Sequence, residues 1–189
     1  TALVYGENTI NQSSSEESII NPLNYYAWTK FIAEKTVKSY CASFGLQATV
    51  MRFNSIIGYP LKTSTILNDV FSQINNGDEE VVIQNGNPVR DYIFVKDAVS
   101  ALICLLNKDS DSNFEIYNVS NGKGVSAMEL ARLVCTVNDL PASSVKSKVP
   151  TDIYPPVLVL DNTKLKQTGW SSLYSIEKSL REINKMMIK

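Results

Sequence analysis

The chain has 189 residues, of which 44% are hydrophobic and 20% charged, with a net charge of −1; this fits one globular domain, or a domain with part of another. The near-neutral charge gives no basic field for nucleic acid or an acidic membrane, and no apolar run approaches the roughly 20 residues that span a bilayer. With no histidine, Ser-His-Asp hydrolysis, His-based zinc catalysis and histidine general bases are excluded, so proton chemistry falls to Tyr, Lys, Asp, Glu or Cys.

Residues 1–5 read as a short buried strand ending at Gly6, entered in its middle, since the opening is neither a signal peptide nor an initiator methionine. A polar stretch follows over 7–24, in which residues 13–17, Ser-Ser-Ser-Glu-Glu, read as a solvated loop. After Pro22, apolar positions at Ala27, Phe31, Ala33/Glu34, Val37 and Tyr40/Cys41 recur at helical spacing, so a helix is expected over 25–44, stopped by Gly45. Residues 46–53 alternate as a strand, closed by Gly58-Tyr59-Pro60. A helix over 66–74 ends at Asn76-Gly77; a strand over 81–84 leads into the turn 85–88, and 91–95 is again strand-like. An amphipathic helix is expected over 95–106, a strand over 115–119 and a loop over 121–124. Ser126 and Glu129 have the spacing of a capping box, opening a helix to about Val137. Beyond the proline-rich 150–156 come a strand over 157–160 and a terminal helix over 175–189, against which Trp170 and Tyr174 pack and whose Met186-Met187-Ile188 tail reads as core or interface. Strands alternating with helices make this an α/β protein. Cys41, Cys104 and Cys135 are odd in number, far apart and in apolar helical surroundings, which points to reduced cysteines in a cytoplasmic protein and not to a redox or metal site.

The chemistry-bearing signal is Tyr26-Ala27-Trp28-Thr29-Lys30. A spacing of four puts phenol and ammonium on one helical face, and a cation beside a phenol favours the phenolate, which can then exchange protons near neutral pH. On its own the pair favours the plain reading of a core tyrosine and a solvated lysine. Three more segments follow in order: residues 90–97, Arg-Asp-Tyr-Ile-Phe-Val-Lys-Asp, after Asn85-Gly86-Asn87; residues 117–120, Tyr-Asn-Val-Ser; and the stretch from Asp161 to Trp170. Arg90 taken singly also reads as a surface ion-pair partner.

Together with Thr1 ahead of Val4-Tyr5-Gly6, these motifs resemble the extended short-chain dehydrogenase/reductases of the NAD-dependent epimerase/dehydratase family over nearly the whole chain. The resemblance implies the C-terminal portion of a Rossmann domain (a doubly wound parallel sheet) with a small α/β substrate-binding domain. Residues 1–60 would be the second part of the Rossmann domain. Residues 61–189 would mainly bind a nucleotide sugar, with strand 115–119 returning to the Rossmann sheet. It implies a catalytic set of Thr1, Tyr26 and Lys30: Tyr26 as acid/base at the sugar hydroxyl, Lys30 lowering its pKa and holding the nicotinamide ribose, and Thr1 bonding the reacting oxygen. Phe53 would line the site of the cofactor, NAD or NADP. Asn54, Ser55, Gln84 and Arg90 would face the substrate, with Gln84 near the nucleobase and Arg90 on the diphosphate, a task suited to a bidentate guanidinium. No metal is implied. Relatives pair through a bundle including the Tyr/Lys helix, so a homodimer across the outer face of 25–44 is expected. So are roughly 110–130 further residues on the N-terminal side, carrying the glycine-rich phosphate loop; Gly122-x-Gly124 is too short and too late to replace that loop.

Departures from the family narrow the reaction. Dehydrating members carry Asp-Glu directly after the hydroxyl residue, where this chain has Ala2-Leu3. The asparagine expected three residues after Arg52 is Ser55 here, with Asn54 one place early. A late arginine before proline is replaced by Tyr154-Pro155-Pro156, leaving phosphate contacts to Arg90 and helix N-termini such as Ser64-Thr65. The implied activity is a nucleotide-sugar 4-epimerase working by transient oxidation at sugar C4. The alternatives are an NAD(P)H-dependent reductase of an NDP-4-keto-6-deoxysugar and, in another class, an inactive NAD(P)-binding regulatory or scaffold protein.

Overall fold

A computed structural model of the chain describes residues 1–8, 12–110, 112–149 and 156–187. Its longest helix, α1 (Tyr25–Phe44), forms where the periodicity places it, because both ends are chemically closed. The Asn24 side chain accepts the Ala27 N–H at 2.9 Å, and Gly45 turns left-handed at φ 66° and donates its N–H to Cys41. The chain then enters β1 (Ala48–Phe53) and a short β2 (Ser55–Ile57). Next come α2 (Ile66–Asn75), β3 (Val81–Asn85), β4 (Val89–Phe94), α3 (Val95–Leu106) and β5 (Phe114–Val119). The last third holds β6 (Gly124–Ser126), α4 (Ala127–Val137), β7 (Val145–Val149), β8 (Val157–Leu158), α5 (Thr163–Lys166) and α6 (Ile176–Met187).

β1 and β5 pair in parallel, from Ala48 opposite Phe114 to Phe53 opposite Val119. Strand alternation sends Met51 and Phe53 to one face of this sheet, against Ala98, Ala101 and Leu105 of α3. Arg52 goes to the other face, against α1. Among the described residues β5 is the one ladder partner of β1. A second sheet centres on β4, which runs parallel to β2 and β8 and antiparallel to β6. A third pairs β3 with β7 in parallel. Around these two, Phe71 of α2, Leu130 and Val134 of α4, and Leu180 and Ile183 of α6 close the largest core. Asp97, in the first turn of α3, accepts the backbone N–H groups of Leu173 and Tyr174 at 3.0 Å each and so ties the approach to α6 onto α3. Trp170 is buried and donates to Ser100 at 2.9 Å, and Tyr174 packs on Phe94. No helix of the described residues is long and apolar enough to cross a membrane, and the three cysteines are free.

Two expectations are corrected. Ala2–Tyr5 is a 3₁₀ turn, not a strand. Its backbone groups are satisfied locally: Thr1 Oγ1 accepts the Leu3 N–H, and the Gly6 N–H closes back on the Leu3 carbonyl. Residues 13–17 are not a solvated loop, because Ser14 is buried, its backbone pairs with Val159 and Asp161, and Glu16 accepts the Asn118 N–H at 2.7 Å. The expected strand over 157–160 ends at Leu158, with Leu160 bridging to Ser14. β2, β6, β7 and α5 are further elements that periodicity did not indicate. Tyr154, Pro155, Ile188 and Lys189 lie outside the described residues.

Candidate active site

The site grows from the first two turns of α1. Tyr26 enters half-exposed at 54%, and the four-residue step brings the Lys30 ammonium over its ring, 5.5 Å from the centroid. The 3₁₀ turn packs against the same helix, which sets its N-cap, Thr1, beside Lys30 and Glu34 along one space. Across from them β1 ends at Phe53 and turns through Asn54. Thr1, Tyr26, Lys30, Phe53 and Asn54 thus line one open cleft of about 750 Å³.

The remaining expected residues are distributed differently. Asn54 is buried and its carboxamide is used inside the protein, donating to the Leu158 carbonyl at 3.1 Å and accepting the Ser55 N–H at 2.9 Å. Ser55 opens β2 beside the cleft without lining it. Gln84 is exposed near the end of β3, in a separate cleft of about 490 Å³ shared with Asp69, Gln73 and Asn85. Arg90, on β4, is half-buried and lines neither space; one guanidinium nitrogen donates to the carbonyls of Val89 and Pro156 at 2.9 Å each. The structure therefore brings together Thr1, Tyr26, Lys30, Phe53 and Asn54, and not Gln84 or Arg90. Thr65 caps α2 through the Asn68 N–H. Among the described residues no group of three His, Cys, Asp or Glu could hold a metal ion.

Behind the cleft lies a buried polar chain that pattern reading did not find. Arg52 grips Glu34 with Nη2 at 2.7 Å and Nε at 3.2 Å to both carboxylate oxygens, and its Nη1 donates to Tyr5 Oη at 2.7 Å. Tyr5 Oη in turn donates a hydrogen bond to Asn118 Oδ1 at 2.8 Å, and Asn118 Nδ2 donates to the carbonyls of Ser14 and Asp161. Burial works against the Arg52 charge, but the hydrogen bonds and charges of Glu34 and Tyr5 outweigh it and hold its pKa above the ordinary value. Burial likewise raises the Tyr5 phenol, although the Arg52 hydrogen bond opposes this. The available signal was a carboxylate in a core register of α1 and an arginine inside a strand, both of which demand a buried partner.

The sequence model of the NAD dependent epimerase/dehydratase family matches residues 1–120. A dTDP-D-glucose 4,6-dehydratase of Dictyostelium discoideum is 32% identical over 131 residues, covering 69% of this chain and 30% of that protein. A UDP-glucose 4-epimerase of Corynebacterium glutamicum is 28% identical over 192 residues, covering 90% of this chain and 56% of that one. Among solved structures, UDP-glucose 4-epimerase of Thermotoga maritima with UDP-glucose superposes with a TM-score of 0.82 at 25% identity, over 100% of this chain and 62% of that one. The dTDP-glucose 4,6-dehydratase of Bacillus anthracis in complex with NAD gives 0.85 at 21% identity, over 98% and 58%; it shares the fold. The chain thus spans less than two thirds of the length of the proteins it matches. The chain belongs to the NAD dependent epimerase/dehydratase family.

Proposed function

We propose that this chain carries the proton-transfer site and the substrate-binding part of an NAD(P)-dependent nucleotide-sugar 4-epimerase. The observation that carries the reading is the convergence of Thr1, Tyr26 and Lys30 on one cleft, with the Lys30 ammonium over the Tyr26 ring. The residues fit the nicotinamide end of a cofactor. Lys30 is exposed and forms no ion pair among the described residues, which leaves its donors for ribose hydroxyls, and Phe53 gives the cleft an apolar wall. When bound, NAD(P) supplies the acceptor and donor of hydride.

The chain's own part is to orient the sugar and move one proton. Tyr26 Oη takes the proton of the C4 hydroxyl and later returns it, with Lys30 placing a positive charge one turn away. Thr1 Oγ1 already accepts the Leu3 N–H, so its hydroxyl hydrogen is left to donate to the reacting sugar oxygen. The remaining guanidinium nitrogens of Arg90 serve the diphosphate, and Gln84 the nucleobase. Ala2 is buried and, like Leu3, carries no proton-transfer group, which favours epimerisation over 4,6-dehydration. On the outer face of α1, Tyr25, Ile32 and Tyr40 are exposed at 92%, 57% and 56%, which supports pairing of two copies there.

The test is turnover by the complete protein on UDP-glucose, UDP-N-acetylglucosamine and a dTDP-4-keto-6-deoxysugar, read by NMR for product and by absorbance for NAD(P)H. Epimer formation without net cofactor consumption is expected, with kcat falling about 10²- to 10⁴-fold in Tyr26→Phe. Stoichiometric NADPH oxidation on the keto sugar would make the protein a reductase instead, and no turnover on any of the three would sink both assignments.

A further inference from the structure

We propose that Arg52 is a positioning residue, which sets Tyr26, Lys30 and Thr1 relative to one another by gripping the two segments that carry them. The inference rests on the reading of those three residues given above.

Three observations support it. Glu34 lies one turn beyond Lys30 on α1 and lines the same cleft, so its carboxylate is within the spacing at which helical side chains form ion pairs. Arg52 prevents that pairing by holding both Glu34 oxygens from β1, and Lys30 stays over the Tyr26 ring. With a different nitrogen the same guanidinium holds the hydroxyl of Tyr5, the last residue of the 3₁₀ turn that begins at Thr1. One planar fork, 3% exposed, therefore fixes both the rotation of α1 and the seat of the Thr1 turn. A lysine has no second, rigidly placed arm to do the same.

Without Arg52, the Glu34 carboxylate is left in a low-dielectric pocket with a free ammonium one turn away, and it draws Lys30 off Tyr26. Arg52→Met is expected to lower kcat about 100-fold, the usual consequence of misplacing a catalytic group by about 1 Å. KM for the nucleotide sugar should stay within about threefold, because no substrate contact is removed. Adding Glu34→Met removes the competing carboxylate and leaves an apolar pair; it should recover about tenfold of the loss, the Tyr5 contact remaining broken. A purely structural role predicts no such recovery in kcat.

Labelling tyrosine with ¹³C gives a readout independent of turnover. The Tyr26 ring signal, identified by its absence in Tyr26→Phe, is expected to move in Arg52→Met and to return in the double variant. Unchanged kcat and an unmoved Tyr26 signal in folded Arg52→Met overturn the proposal, as does a double variant no better than the single one. Should Arg52→Met not fold, Tyr5→Phe deletes one hydroxyl while leaving Glu34 paired. It is expected to lower kcat about 3- to 10-fold at constant KM, and wild-type kcat there is equally fatal. A wild type that turns over no sugar yet shows the Tyr26 signal moving and returning would refute the epimerase reading and leave the role of Arg52 intact.

Discussion

Asp91, in the middle of β4, is fully buried, and its carboxylate oxygens accept the N–H groups of Asn121 at 3.0 Å and Gly122 at 2.9 Å. Burial disfavours the charge more than these donors favour it, and pushes the carboxyl from 3.8 up to about 6. The native state therefore holds a proton that the unfolded chain has already released between those values. The stability this confers is complete below pH 3.8 and is lost as pH rises through about 6. At about 1.36 kcal/mol per pH unit, the interval amounts to about 3 kcal/mol. Asp91→Asn cannot titrate; it keeps an oxygen for one of the two N–H groups and turns an amide against the other, at a cost of about 1–3 kcal/mol. Urea unfolding of wild type and variant at pH 4, 5, 6 and 7 separates the two effects. The advantage of the wild type should shrink by about 2.4 kcal/mol from pH 4 to pH 7. A constant difference would show that Asp91 does not titrate in this range, and an advantage that grows with pH would show that the backbone donors outweigh burial.

Two left-handed glycines should respond unequally to alanine. At Gly6, φ 76°, the added Cβ would sit 2.6 Å from the Asn21 carbonyl oxygen, whereas at Gly45, φ 66°, it meets nothing within 4 Å. Thermal unfolding should show Gly45→Ala costing about 1–2 kcal/mol, and Gly6→Ala at least about 3 kcal/mol because overpacking adds to the backbone term; equal losses would refute the contact argument. Sedimentation of the complete protein should give a dimer that Ile32→Glu dissociates, and a monomeric wild type would remove the role proposed for the outer face of α1.

Much of this structure was legible because its signals are local. The stop at Gly45 and the Ser126–Glu129 box each involve residues within four positions of one another, and α1 ends and α4 begins where those marks put them. The Tyr26–Lys30 pair follows from helical spacing alone. What failed was shorter or longer in range. Residues 1–5 are apolar enough for a strand, but the bond from Leu3 to the Thr1 hydroxyl decides for a turn. β2 has three residues, too few for any period to show. Ser14 looked solvated because its partners, Val159 and Asp161, lie far along the chain. Resemblance proposed Thr1, Phe53 and Asn54, and the cleft brings them beside Tyr26. No pattern could pair Arg52 with Glu34 and Tyr5, since each is chosen only once helix, turn and strand have packed.

The opening residues of the chain find their partners near its other end. Val4 and Tyr5 pack on Leu158 and Leu160, while Asn8 and Ser14 hydrogen-bond the carbonyls of Val157 and Val159. During synthesis from the N-terminus, the helix bearing Tyr26 can form early. The turn bearing Thr1 can lean on Phe31 of that helix, but its wall is incomplete until Leu158 and Leu160 have left the ribosome. A nascent chain halted before that point would leave Val4 and Tyr5 without Leu158 and Leu160, so the seat of Thr1 is completed by residues about 150 positions further along the chain.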